Sequence, residues 1–280
     1  MSKLALGTVQ FGLDYGVSNP AGQTPAGEVA DLLAKAAAGG VEMLDTAPAY
    51  GTAETVLGAA GTSGFQVVSK LPKSTPADAV SKTLSQSLLA LRREAVEGYI
   101  VHDPADLLGP DCAAVWAALE DARAAGYARR IGASVSSPQD VDALMARYPL
   151  DLVQLPLNPI DARWQAQGTL TALAQAGVEV HARSVFLQGL LLMQNPPPAL
   201  RAWTPLLGAF QDWCAQRGKT PAQACLGHVL AQPGIAKAVI GVTNRQELSQ
   251  ALDIVPDPEP VPEHLRCVDP DLLNPARWTT

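Results

Sequence analysis

The chain has 280 residues, 48% of them hydrophobic, and a formal net charge of −7. That length holds one large α/β barrel or two ordinary domains, with enough apolar material for a full core. The negative balance argues against a nucleic-acid backbone as main partner, and no apolar run approaches the ~18 residues of a membrane span.

The four cysteines, Cys112, Cys214, Cys225 and Cys267, form no C-x-x-C pair, and the four histidines have no metal-site spacing. No charged-then-apolar leader opens the sequence. The expectation is a cytoplasmic protein with reduced thiols, no resident metal and no membrane partner.

In chain order, short runs rich in β-formers alternate with longer Ala/Leu-rich stretches of helical period. Strands are expected at residues 4–8, 42–46, 65–70, 97–102, 130–134, 152–155, 179–183 and 236–241. The clearest helices fall at 26–38, 76–91, 111–125, 138–146, 168–176 and 245–252. Gly39-Gly40, Gly126 and Gly177 close helical stretches where a C-cap belongs. Eight βα units fit an α/β fold of the closed (β/α)8 TIM-barrel type, read as a single domain over 1–280. An open dinucleotide-binding sheet is disfavoured, because no G-x-G-x-x-G follows the first strand. Two features go beyond a plain barrel. The connection 185–234 is long and carries helical stretches near 205–216 and 221–231, and long loops at a barrel mouth carry function. The tail 255–280 holds six prolines and is expected to be irregular, packing across the barrel or partly disordered.

Four polar residues stand at the ends of the second, third and fourth strands. Asp45 closes one, Tyr50 follows it by five residues, Lys70 closes the next and His102 the next. In a closed parallel barrel these strand ends meet at one mouth. An ammonium beside a phenol stabilises the phenolate and lowers its pKa, so Tyr50 becomes a proton donor to a carbonyl near neutral pH. Singly, each has a plainer reading: a rim ion pair for Asp45 and Lys70, a loop histidine, an amphipathic rim tyrosine. In register together, they point to chemistry.

The motifs Leu6-Gly7-Thr8-Val9-Gln10-Phe11-Gly12, Leu44-Asp45-Thr46-Ala47-Pro48-Ala49-Tyr50-Gly51, Val68-Ser69-Lys70-Leu71-Pro72 and Val101-His102-Asp103-Pro104 occur in this order. They are followed by Ile131-Gly132-Ala133-Ser134, Val153-Gln154-Leu155-Pro156-Leu157-Asn158 and the run Ala182 to Leu191. With them the chain resembles the aldo-keto reductase superfamily over nearly its full length. The resemblance implies that Tyr50 is the general acid, Lys70 lowers its pKa, Asp45 keeps Lys70 charged and aimed, and His102 orients the carbonyl. Hydride has to come from a cofactor, since no side chain supplies it. The resemblance places Thr8, Asp45, Ser134 and Gln154 around the nicotinamide, with Asn158 just beyond. Arg183, Ser184, Val185, Phe186, Leu187 and Gly189 would wrap ribose and pyrophosphate, and Gly241, Thr243, Arg245, Glu247 and Gln250 would hold the adenosine end.

Two positions depart from the family's commoner pattern. Arg183 stands where many members have a tyrosine stacked on the nicotinamide; a guanidinium can also stack, or pair with phosphate. Glu247 aligns where NADPH-preferring members carry an arginine, and a carboxylate repels a 2′-phosphate. NAD(H) is therefore the expected cofactor, with NADP(H) the other option through Arg245; a solvated helix face is the plainer reading of both residues. Phe11, Trp203 and Trp278 are candidate pocket walls. Leu13-Asp14-Tyr15-Gly16-Val17, Asp161-Ala162-Arg163 and Arg183-Ser184-Val185-Phe186 resemble a bacterial subgroup linked to sugar or surface-polysaccharide pathways. More loosely, they resemble KidO-like NAD(H)-binding regulators of bacterial cell division. The expected function is reduction of an aldehyde or ketone, a sugar among the candidates, by NAD(P)H. The alternative is a cofactor-binding regulator that acts through a protein partner with little or no turnover.

Overall fold

The structure is a computed structural model that describes residues 2–166 and 168–278. Its eight strands are β1 (Leu4–Gly7), β2 (Met43–Asp45), β3 (Gln66–Leu71), β4 (Val96–Val101), β5 (Ala128–Ser134), β6 (Leu152–Pro156), β7 (Glu179–Arg183) and β8 (Lys237–Gly241). Each is parallel to the next, and β8 pairs with β1, which closes the (β/α)8 barrel expected from the alternation. The intervening helices are α1 (Ala26–Ala38), α2 (Ala53–Ala60), α3 (Val80–Leu91), α4 (Ala105–Leu108), α5 (Cys112–Ala124) and α6 (Pro138–Met145). They continue with α7 (Arg163–Ala166), α8 (Thr169–Gln175), α9 (Thr204–Gln216), α10 (Pro221–Ala231), α11 (Arg245–Leu252) and α12 (Pro270–Leu273).

Strand boundaries fall within two residues of the sequence expectation. Four helices were not singled out there: α2, α4, α7 and α12. α2 is short and carries Gly58 in its interior, which weakens the helical signal. A Cβ at Gly58 would lie 2.0 Å from the Ala90 carbonyl oxygen, so the glycine lets α2 pack tightly on α3.

Period two sorts the strand residues into two apolar layers. Leu4, Leu6, Val67, Tyr99, Val153, Val180 and Ala182 face the helices and join the large outer core. Ala5, Met43, Val68, Ile100, Leu152 and Val239 form a separate cluster inside the barrel. Two residues further along each strand, on the same inward side, stand Gly7, Asp45, Lys70, His102, Gln154 and Gly241. The polar mouth is thus the next layer above the apolar plug, set by strand alternation alone.

The long connection contains α9 and α10; Thr220 and Gln223 cap α10 reciprocally, and Pro221 opens it. The proline-rich tail docks on the barrel. Cys267 bridges to Asp161 beyond β6, and Val261, Leu265, Leu272 and Leu273 are buried. Arg217 after α9 pairs with Asp257 at 2.9 Å and with Glu259 at 2.5 Å. Among the described residues, no helix is long and apolar enough to cross a membrane.

Candidate active site

Lys70 lies inside the mouth, 1% exposed. Its Nζ donates to Asp45 Oδ1 at 2.6 Å, to the Thr46 carbonyl at 3.1 Å and to the Tyr50 hydroxyl at 3.2 Å. An ammonium has three protons, and all three are used. Burial alone would push Lys70 down, but the Asp45 carboxylate and the Tyr50 oxygen hold it above its usual range, so it stays charged. Since Lys70 donates to the Tyr50 oxygen, the phenolic proton is left to point elsewhere.

Tyr50 is held by a tight turn. Its carbonyl accepts from Ala53 N at 3.1 Å as the chain enters α2, and the turn rests on Gly12 after β1. A Cβ at Gly12 would fall 1.9 Å from the Tyr50 carbonyl oxygen, so only glycine allows this approach.

The His102 ring stands edge-on to Tyr50, with centroids 5.8 Å apart at 85°. Burial, with the Lys70 and Arg183 cations adding, pushes its pKa down to about 4. It is a neutral imidazole at physiological pH, with one N–H to donate.

Gln154 Nε2 donates to Asp45 Oδ2 at 2.7 Å, which turns Oε1 away; that oxygen is buried without a partner. Asn158 Oδ1 accepts from Ile160 N and Asp161 N, each at 3.2 Å, and leaves Nδ2 buried and unpartnered. An orphaned acceptor and an orphaned donor at the end of β6 match the N–H and C=O of a carboxamide. The residues present therefore fit a nicotinamide group. Ser134, at the end of β5, accepts from Arg183 Nε at 3.2 Å.

The remaining expected cofactor contacts are less uniform. Thr8 Oγ1 donates to the Asp45 carbonyl at 2.9 Å and is fully buried. Val185 and Leu187 bury their side chains in the core, so only backbone there can meet a ligand. Ser184, Leu187, Gln188 and Gly189 all have φ between 49° and 92°, a run of left-handed backbone uncommon outside functional segments. The loop after β1 buttresses it: Val17 N donates to the Gln188 carbonyl at 3.0 Å, and a Cβ at Gly189 would meet Ser18 Oγ at 1.8 Å. Phe186 is half-buried against the core.

A second group lies at β8 and the start of α11. Gly241 is covered by Gln10, Asn244 caps α11, and Glu247 accepts from Thr243 N at 2.8 Å and Thr243 Oγ1 at 3.0 Å. Arg245 reaches Asp31 of α1 at 3.1 Å, and Gln250 is exposed one turn on. Of the candidate pocket walls, Phe11 is a correction: it is fully buried among core residues, because the turn after β1 folds inward. Trp203 and Trp278 are half-buried against that core.

Two residues at the site were missed in the sequence. Tyr15 lies in electrostatic reach of Tyr50, Arg183 and Lys70 with Gln188 against it, and burial pushes its phenol up. Nothing in a loop sequence announces that contact. Glu54, in the first turn of α2, accepts from Ser69 Oγ at 2.6 Å and is 6% exposed. It ties the helix that follows Tyr50 to the strand that carries Lys70. A lone carboxylate among Ala53, Val56 and Leu57 was the available signal.

Comparison with known proteins bears on the fold and the family. The chain is 29% identical over 171 residues to deoxymugineic acid synthase 1-D of Triticum aestivum, covering 55% of this chain and 52% of the relative. It is 28% identical over 194 residues to deoxymugineic acid synthase 1 of Oryza sativa subsp. japonica, covering 64% and 58%. The matches thus span somewhat over half the length of these curated relatives. Among solved structures, an aldo-keto reductase from Bacillus halodurans (holo form) superposes with a TM-score of 0.75 at 17% identity, covering 99% of this chain and 95% of that one. The glycerol dehydrogenase of Gluconobacter oxydans gives 0.71 at 22% identity, covering 91% and 86%. The looser likeness to a cell-division regulator finds no support in these relatives. The family model described as Aldo/keto reductase family matches residues 3–259, and the chain belongs to that family of oxidoreductases.

Proposed function

We propose that the protein reduces an aldehyde or ketone with NAD(P)H, NADH being preferred, and that Tyr50 delivers the proton. The observation that carries this reading is the direction of the Lys70–Tyr50 hydrogen bond, 3.2 Å long, which leaves the phenolic proton free beside a neutral His102. A bound reduced nicotinamide supplies the hydride. Ser134, Gln154 and Asn158 would hold its carboxamide, the segment 183–191 its ribose and pyrophosphate, and the start of α11 its adenosine end. His102 donates to the carbonyl oxygen and aims it at Tyr50. The Lys70 ammonium stabilises the oxygen charge that remains after Tyr50 gives up its proton, and Asp45 keeps that ammonium in place. Glu247 carries a negative charge where a 2′-phosphate would arrive, and Arg245 is turned to Asp31, which supports the preference for NADH. A relative named for glycerol makes small hydroxylated carbonyls, sugars included, the first substrates to try. The four cysteines are free thiols, which suits a reducing cytoplasm.

The test is to titrate the protein with NADH and NADPH and then to follow cofactor oxidation with a panel of aldehydes, ketones and sugars. Tyr50→Phe is expected to keep cofactor binding and lose about 100- to 10,000-fold in kcat. Full turnover in Tyr50→Phe overturns the proton-donor assignment.

A further inference from the structure

Glu54 puts a carboxyl group among apolar side chains, outside the barrel and away from the mouth. It lies in the first turn of α2, four positions after Tyr50, and is buried. Ala53 and Leu57 of the same helix are fully buried beside it. Burial pushes its pKa up, and Ser69, Ser87 and the Lys70 charge pull it part of the way back. Burying such a group costs free energy, and a bonded polar group in a core acts by fixing geometry.

The geometry is a clamp on two segments. Glu54 Oε1 accepts from Ser69 Oγ at 2.6 Å, the one side-chain hydrogen bond that α2 makes to the barrel among the described residues. Ser69 faces the helices with Val67 and Leu71, whereas Lys70, the next residue, faces the mouth. On the helix side, the Tyr50 carbonyl accepts from Ala53 N at 3.1 Å, so Tyr50 and Glu54 belong to one short turn. The turn and β3 are thus joined twice. Glu54 and Ser69 join them outside the barrel, and Tyr50 and Lys70 join them inside it at 3.2 Å. The inner bond is the longest of the three that Lys70 donates. Asp45 and the Thr46 carbonyl already fix the ammonium, so the placing of the Tyr50 turn decides how far the phenol stands from it.

We propose that Glu54 is a positioning residue for proton transfer: its bond to Ser69 holds the turn that carries Tyr50 against the strand that carries Lys70, and so sets the separation of phenol and ammonium. This rests on the reductase reading above. Glu54 touches neither substrate nor cofactor and acts only through the two segments it joins. Gly12 packs against the Tyr50 turn without a side chain, which allows the approach but does not tie it to β3. Ser69 and Tyr99 are register partners on β3 and β4, and both are fully buried, so the strand side of the clamp is rigid.

The experiment measures kcat, KM and NADH affinity, with the best carbonyl of the panel above, in Glu54→Ala, Ser69→Ala, their double variant and Glu54→Gln. Each single alanine variant is expected to lower kcat about 10- to 100-fold with KM and NADH affinity near wild type, the scale of a misplacement of up to about 1 Å. The double variant should be no slower than the slower single, since either change opens the clamp. Glu54→Gln keeps the oxygen that Ser69 meets and should recover most of the rate. An unchanged kcat with a lower urea midpoint makes the bond purely structural and overturns the proposal. So does a loss of NADH affinity that matches the loss of kcat, and so does a rate in Glu54→Gln as low as in Glu54→Ala. If Glu54→Ala does not fold, Ser69→Ala, which removes a single hydroxyl, decides alone. If wild type reduces no carbonyl, the reductase reading fails, and carbon-13 spectra of tyrosine-labelled protein read the clamp separately. The Tyr50 ring carbon that bears the hydroxyl, identified by its loss in Tyr50→Phe, should shift in Ser69→Ala; a resonance unmoved there overturns the proposal.

Discussion

Gln154 Nε2 donates to Asp45 Oδ2 at 2.7 Å, joining β6 to β2 across the barrel mouth between residues 109 positions apart. The other oxygen of the same carboxylate takes Lys70. One carboxylate thus holds the ammonium beside Tyr50 and also orients the amide that would meet the cofactor. Gln154→Leu keeps the volume and leaves Asp45 Oδ2 unpaired. A buried unsatisfied acceptor costs about 1–3 kcal/mol, so the urea midpoint should fall accordingly and NADH should bind more weakly. An unchanged midpoint would mean that the bond contributes nothing to the fold.

The Lys70–Asp45 pair should be strongly coupled. Lys70→Met alone strands a buried carboxylate, and breaking a buried pair from one side costs about 3–5 kcal/mol. Asp45→Asn combined with Lys70→Met removes both charges and should recover much of that loss. A double-mutant cycle by urea denaturation reads the coupling directly; additive losses would contradict it.

His102 should stay neutral well below the usual histidine range, because its pKa lies at about 4. Nitrogen-15 spectra should show no protonation of this ring above pH ~5. The linkage has a definite sign. The folded pKa is below the unfolded one, so the unfolded chain takes up the proton first, and stability is lost as pH falls from about 6.5 toward about 4. His228, also held at about 4 by burial, adds to the same slope. His102→Asn should flatten part of that slope in urea midpoints measured across this window. A slope equal to wild type would mean that His102 titrates normally.

Glu247→Gln separates charge from capping. A glutamine can still accept from Thr243 N, the bond that Glu247 makes at 2.8 Å, so α11 should remain intact. Removing the negative charge should raise NADPH affinity by about 2- to 10-fold while NADH changes little, a shift typical of one screened charge. Fluorescence titration with both cofactors checks it, and an unchanged ratio would remove Glu247 from cofactor choice.

Much of the site was legible because strand geometry is local. Asp45, Lys70, His102 and Gln154 each stand two residues beyond an inward apolar residue, and alternation carries that side to the mouth without further information. Thr243 and Glu247 were both expected at the adenosine end, but the hydrogen bond that commits one to the other appears only with the turn in place. Phe11 was misjudged as a pocket wall because the turn after β1, and not its strand, decides which way it points.

The order of βα units and the polar strand ends were determined by the sequence itself, since periods of two and 3.6 act over a few residues and need no distant partner. Tertiary structure alone decided the rest. It bonded Gln154 to Asp45, set Tyr15 and Arg183 around one mouth and joined Glu54 to Ser69. Each of these depends on side chains from separate βα units meeting after the barrel closes, and on desolvation that exists only once they have met.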